Sequence, residues 1–502
     1  MQNSNQYTKG CDSAPRSGAR LAMPAAAINL RWTLRSAALV ILILLLASCG
    51  LSPQYARPEL DIPRAYEETG RETLREYSAE NRAWWQGFAS KALPSLQAVA
   101  IANNHAFQAE RQVLAQSFAQ ARAARASLFP SIDVGGSGSH KGNAVPGGYS
   151  KNDALSGTVQ ASYEVDIWGK NYETATAQSY RAIAGVNAWR GAGLTLESEV
   201  ALTYFSYLAA RENLAVYNAM LENAKDVLEY QEKREKLGAA APLDVARQRA
   251  SVESMEAGRI SYLVNMTEAK NSLAQLVGSA EIPADIMALM DAENLMDMLP
   301  PAIDAGIPAD LLARRPDIAE AEARLMAANA NIGVARAAFL PGVSLTASAG
   351  WQSDSLSTLI SPSSALFSLA GSLLQPLFQG GRLIAQYDEA VAANKELMER
   401  YREAALAGYL EVATTLETNV LLVQQEKHRH LSAGQSEEAY RIARLRYEAG
   451  AEDFLAVLNA QETKLNAESQ VVQTRLERLN TAIALFKALG GGWMNETAPT
   501  DK

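Results

Sequence analysis

The stretch Gly342-Val343-Ser344-Leu345-Thr346-Ala347-Ser348-Ala349-Gly350-Trp351-Gln352 places Val343, Leu345, Ala347, Ala349 and Trp351 in alternation with Ser344, Thr346, Ser348 and Gln352. That period of two predicts a β-strand with one apolar and one polar face. An earlier stretch has the same form: Val159, Ala161, Tyr163, Val165 and Ile167 alternate with Gln160, Ser162, Glu164 and Asp166. Ile132 to His140 and Phe367 to Leu373 read as two weaker strands. Between them, Gly142 to Gly148 and Ser353 to Ser364 are rich in Gly, Ser and Pro, which predicts loops.

Outward from the strands, the chain repeats itself at a spacing of about 211 residues. Arg125-Ala126-Ser127-Leu128-Phe129-Pro130 is answered by Arg336-Ala337-Ala338-Phe339-Leu340-Pro341, each closing an Ala-rich helical stretch with proline. Trp168-Gly169-Lys170 is answered by Phe378-Gln379-Gly380-Gly381-Arg382, and Lys236-Leu237-Gly238 by Glu448-Ala449-Gly450. Each repeat therefore reads helix, strand, strand, very long helix, turn, helix. No proline interrupts Tyr172 to Leu237 or Leu383 to Tyr447, so each long helix should measure ~100 Å at 1.5 Å per residue. Leu465, Val472, Leu479 and Phe486 recur every seven residues, with Leu476 and Ile483 between them. Tyr262, Met266, Ala269, Leu273 and Leu276 form the equivalent stripe in the first repeat. These are coiled-coil packing residues, not a site.

The start of the chain is an export signal. Arg31 and Arg35 precede the apolar run Ala37 to Ala47, too short to span a bilayer. The run ends in Leu46-Ala47-Ser48-Cys49, which looks like a bacterial lipobox, so Cys49 is expected to carry diacylglycerol and an N-acyl chain. Gly50 follows, without the aspartate that suggests inner-membrane retention, so the outer membrane is the expected destination. The division is then a signal peptide over 1–48, a lipid-anchored extension over 49–83, repeat one over 84–278, a proline-rich linker over 279–308, repeat two over 309–490 and a tail over 491–502.

Composition narrows the function further. Among the 502 residues, the net charge of -9 argues against bulk nucleic-acid binding, and four histidines with two cysteines leave little for a metal or disulfide framework. No nucleophile–base or paired-carboxylate constellation is recognisable, so neither enzyme activity nor a further cofactor is expected. The four strands have two possible homes: a soluble sheet packed on helices, or a share of a membrane barrel. Lipid tolerates no open sheet edge. Four strands cannot close alone, eight would fill with side chains, and twelve leave a water-filled lumen.

The chain resembles outer-membrane efflux lipoproteins of the TolC-like superfamily, in the branch serving resistance-nodulation-division (RND) transporters. The resemblance lies in Trp84-Trp85-Gln86-Gly87-Phe88, in Leu312-Ala313-Arg314-Arg315-Pro316-Asp317-Ile318 running on to Pro341, and in Leu485 to Trp493. It implies a mixed α+β membrane protein of two tandem structural repeats. Three copies would form a twelve-stranded outer-membrane β-barrel, four strands per chain, continued by a long α-helical coiled-coil barrel in the periplasm. It also implies a homotrimer set in outer-membrane lipid, passive conduction, and partnership with a periplasmic adaptor and an inner-membrane RND-type transporter. Two other readings share part of the pattern: a type I secretion duct, and a lipid-anchored coiled-coil scaffold without a pore. Bottom-up, Pro316 and Asp317 suit a helix start with local ion pairs.

The resemblance places a gate where the long helices turn back, at Gly238 to Val245 and Gly450 to Leu458. Gly238 and Gly450 suit the left-handed residue that ends a helix. In relatives a tyrosine before the second turn bonds an aspartate after the first, which implies a Tyr447–Asp244 lock here. Asp244 is equally placed to cap the helix starting near Leu243. The positions that form aspartate rings in the best-known member are Ala456 and Asn459, and Glu452 stands where that member has an arginine. An acidic ring would therefore come from Asp244, Glu452 or Asp453.

Overall fold

A computed structural model describes residues 51–60, 63, 84–301 and 314–491. Cys49, the signal peptide and the tail beyond 491 lie outside the described residues, as does most of the 49–83 extension. In the first repeat α1 (Ala92–Asn103) and α2 (His105–Ala126) lead into β1 (Ser131–Val145) and β2 (Gly148–Val165), followed by α3 (Lys170–Lys236) and α4 (Pro242–Leu276). A short helix, α5 (Ala284–Asp291), precedes the second repeat. That repeat comprises α6 (Pro316–Ala337), β3 (Gly342–Ser353), β4 (Ala365–Leu374), α7 (Arg382–Glu448) and α8 (Phe454–Ala488). Helices α3 and α7 have 67 residues each, and α4 and α8 have 35 each.

The strands form one four-stranded antiparallel sheet in the order β1-β2-β3-β4. The sequence reading ended the first hairpin too early. Where a loop was expected over Gly142 to Gly148, β1 and β2 pair through Val145–Gly148 and turn on Pro146 and Gly147. This part of the hairpin lacks apolar alternation because both its faces carry small or polar residues. The connection between β3 and β4 is a loop with two short 3-10 turns, as expected.

Register decides which face each residue joins, since residues directly opposite share a face. Val134 lies opposite Val159, Val159 opposite Ala349, and Ala349 opposite Phe367. One row lower, Ile132, Ala161, Ala347 and Leu369 line up in the same way. An apolar face thus crosses all four strands. Among the described residues no helix covers it: Val134, Phe367 and Leu369 are 82%, 88% and 81% exposed. The reverse face carries Ser137, Ser156, Thr158, Gln160, Ser344, Thr346, Ser348, Ser368 and Ser372. Hydroxyl pairs bridge it, Ser137–Ser156 at 2.8 Å and Ser344–Ser372 at 2.6 Å. A packed sheet buries its apolar face, whereas this face is open among the described residues.

The helical body has its densest core where α1, α3, α5 and α8 meet. Trp84, Phe88, Tyr204, Phe205, Leu479, Ile483 and Phe486 are buried together, with the Trp84 and Phe486 rings stacked at 5.2 Å. The expected seven-residue seam of α8 is therefore core. The segment taken as a linker contributes to the same core: Ile286, Met290, Leu295 and Met298 are buried in it. It also supplies a cap. Glu293 accepts from the backbone N–H groups of Lys91 and Ala92, at 2.5 and 3.2 Å, at the start of α1. Ser90 Oγ accepts from the Leu93 N–H at 3.0 Å, while the N-cap residue Lys91 offers no side-chain cap. Arg475 of α8 donates to the carbonyls of Met296 and Met298 and pairs with the buried Glu426. Burial alone would raise the Glu426 carboxyl, but hydrogen bonds from Arg478 and Arg475 hold it below its ordinary range.

The Arg314 to Asp317 block is a helix start with ion pairs, as its residues suggested. Pro316 opens α6, and Arg315 forks onto Asp317 at 3.1 and 2.9 Å. The segment 51–60 lies along α6. The Leu51 carbonyl accepts from Arg336, the Pro53 carbonyl accepts from Asn329, and Tyr55 and Arg57 converge on Glu322. Gly333 permits that approach, for a Cβ there would sit 2.1 Å from Ser52 Oγ.

Candidate functional site at the paired helix turns

The two turns share one construction. After α3, Gly238 N–H donates to the Glu235 carbonyl and Ala239 N–H to the Arg234 carbonyl. After α7, Gly450 N–H donates to Tyr447 and Ala451 N–H to Arg446. Both are Schellman caps, and Gly238 and Gly450 have φ of +67° and +72°, as expected of left-handed residues. The turns come together around a cavity of about 320 Å³ lined by residues that include Arg234, Asp244, Arg247, Tyr447, Glu452 and Asp453. Both turns named from the sequence thus border this one cavity.

The bonds within that place differ from those expected. In the single chain Tyr447 does not bond Asp244. Its hydroxyl accepts from Gln231 Nε2 at 2.8 Å and donates to Gln231 Oε1 at 3.0 Å. Gln231 is fully buried on α3, and a buried amide left without partners costs about 1–3 kcal/mol. The phenol is the group that satisfies it. Arg234, one turn further along α3, lies over the Tyr447 ring at 5.3 Å and over the Tyr230 ring at 5.7 Å. Phe454 also packs against Tyr447, the two rings tilted with centroids 5.2 Å apart.

The acids also take other roles. Asp244 is not a cap: Ala241 occupies the N-cap and Pro242 the first turn, leaving Asp244 half-buried within that turn. Among the described residues its carboxylate has no hydrogen-bond or ion-pair partner. Capping falls to Asp453, which accepts from the Ala456 N–H at 2.9 Å at the start of α8. Glu452 pairs with Arg446 at 3.4 Å. Ala456 thus serves through its backbone, and Asn459 lines a separate groove between α4 and α8 with Arg247, Ser254 and Glu462.

Gln231 was legible in principle. Met220, Leu221 and Ala224 are buried on one stripe of α3, with Val227 partly buried beyond them, and an amide continuing that stripe demands a partner.

An uncovered apolar sheet with a polar reverse face, carried on paired helices of 67 and 35 residues, defines a class: channels set in an outer membrane and extended by helices. The chain belongs to the outer membrane efflux protein family, whose model matches residues 96–279 and 307–491. It is similar to the pyoverdine export outer membrane protein OpmQ of Pseudomonas aeruginosa, 34% identical over 476 residues, covering 92% of this chain and 98% of that one. It is also similar to the probable efflux pump outer membrane protein TtgC of Pseudomonas putida, 30% identical over 480 residues, covering 92% and 97%. Among solved structures, the open state of the MtrE outer membrane channel of Neisseria gonorrhoeae superposes with a TM-score of 0.78 at 27% identity, covering 88% of this chain and 98% of that one. This is an outer-membrane efflux channel, of a family of transport channels.

Proposed function

We propose that three copies of this chain pool their sheets into one twelve-stranded barrel through the outer membrane. The helices would continue it as a duct into the periplasm. Small molecules pass through passively, delivered by an RND-type inner-membrane transporter through a periplasmic adaptor, and the pump rather than the duct selects among them. The observation that carries this is the four-stranded sheet, whose apolar face is bare and whose outer edges, β1 and β4, are unpaired among the described residues. Each unpaired N–H or C=O costs several kcal/mol in lipid, so β4 of one copy must pair with β1 of the next until the ring closes. From Val343 to Trp351 the apolar face of β3 spans eight residue steps. At ~3.4 Å each that is ~27 Å along the tilted strand, comparable to the ~25 Å lipid-facing band of outer-membrane barrels. The Ser- and Thr-rich reverse face would then line the lumen.

Lipid on Cys49 fits the same arrangement. Leu51 is held by Arg336 at 2.9 Å, one turn before α6 gives way to β3. An anchor two residues upstream would act at the level where helices meet the membrane. The diacylglycerol and N-acyl chains are then a tether, and the barrel is the spanning element. A Cys49→Ser chain with its export signal intact tests this. It should be recovered from outer membranes as a trimer by native mass spectrometry in detergent, whereas a soluble periplasmic monomer would reject the reading.

A further inference from the structure

We infer that Gln231, supported by Arg234, is the residue that holds each chain of the duct closed at its helix turns, acting on Tyr447 in place of Asp244. The inference rests on the duct reading. To widen the tip, the α3–α4 pair must part from the α7–α8 pair. At the last turn of the long helices the contacts described above cross between those pairs: the two-way hydrogen bond of Tyr447 to Gln231, at 2.8 and 3.0 Å, and the stacking of Arg234 on the Tyr447 ring. Arg234 does one thing more. It donates to the Ala239 carbonyl at 3.0 Å, so the cation that grips Tyr447 also fixes its own turn. Besides Gln231, Arg234, Tyr230 and Phe454, the cavities beside the phenol bring in Asp226 of α3, Asp244 and Arg247 of α4, Glu452 and Asp453 of the second turn, and Arg444 and Glu448 of its own helix. Arg444 and Glu448 neutralise each other at 3.0 Å.

A latch built from an amide and a phenol behaves differently from one built on a carboxylate. Both partners are uncharged hydrogen-bonding groups. Closure by Gln231 therefore places no demand on the Asp244 charge, whereas closure by Asp244 would weaken when that charge is removed. A neutral hydrogen bond contributes about a five-fold bias toward the closed form per copy.

The test is single-channel recording of the full-length trimer in planar bilayers, with each variant first checked as a trimer by native mass spectrometry. Gln231→Met, which keeps volume and loses the bond, and Tyr447→Phe should each raise the open-to-closed ratio at least about five-fold. The double variant should exceed neither single one, because both remove the same bond. Gln231→Glu, which keeps an acceptor for the phenol and faces Arg234, should stay closed at pH 7.5. Asp244→Asn should match the parent at pH 5 and pH 7.5. Opening by Asp244→Asn, additive effects in the double variant, or no effect of Gln231→Met on a conducting trimer would each overturn the latch while leaving the duct standing. Silence of the parent and of every variant would overturn both.

Discussion

Arg315 at the start of α6 reaches across two other helices, donating to Glu411 of α7 at 2.8 Å and to the carbonyl of Ala488 at the end of α8 at 2.7 Å. With the fork onto Asp317 it makes four bonds from one buried guanidinium. Gly408 of α7 gives it room, since a Cβ there would lie 3.1 Å from Arg315 Nε.

Lysine cannot reproduce that fork. Arg315→Lys should lower unfolding stability by about 2–3 kcal/mol per copy, because charge-assisted bonds are lost and the Ala488 carbonyl is left without its donor. Thermal unfolding of the detergent-solubilised protein reads this. A variant as stable as the parent would mean that Arg315 marks the family without holding the helices together.

The two faces of the sheet should respond oppositely to charge. Leu369 lies on the bare apolar face, and its neighbour Ser368 on the hydroxyl face. Leu369→Lys should cost about 2–4 kcal/mol of folding into lipid, and Ser368→Lys close to nothing. Urea titration of folding into vesicles compares them. Equal costs would show that the faces have been assigned to the wrong solvents.

Glu197 on α3 is 5% exposed, and burial pushes its carboxyl from 4.5 up to about 7. Between those values the folded chain keeps a proton that the unfolded chain has released. This term therefore favours folding most at low pH, weakens as pH rises from 4.5 through 7, and levels off above. Glu197→Gln should remove it and gain on the order of 3 kcal/mol per copy at pH 8 relative to pH 4. Unfolding of parent and variant across that range gives the comparison, and a stability difference that does not change with pH contradicts it.

The segment 51–60 should depend on Glu322, which is buried and bonded by Tyr55 at 3.1 Å and by Arg57 Nε at 2.8 Å. Contact with this carboxylate, after burial, pushes the Tyr55 phenol upward, so it stays neutral. Arg57→Ala should release the segment and speed its cleavage by a protease at least about ten-fold, given ~1.5–3 kcal/mol for charge-assisted bonds. Unchanged cleavage would show that the backbone bonds to Arg336 and Asn329 suffice.

Much of this architecture was legible because the residues had only one way to satisfy simple rules. Val343 to Trp351 alternate, and the register lays their apolar side chains on one face of the sheet and their hydroxyls on the other. The 67-residue helices declare themselves by the absence of proline. The hairpin beyond His140 was hidden because, past the apolar band, both faces are polar and periodicity vanishes. Glu293 was hidden because capping α1 from about 200 residues away leaves no local signature. The turns were located by their glycines, yet the partner of Tyr447 was not, since Gln231 and Asp244 both lie near the first turn and only packing decides which faces the phenol.

The account stands on closure of three sheets around water, and single-channel conductance of the purified protein tests this most directly. Reconstituted in planar bilayers, the Gln231→Met trimer should show discrete, long-lived openings that persist when the Cys49 lipid is absent. Folded trimers of the parent and of every latch variant that insert and never pass current would contradict closure of the three sheets around water.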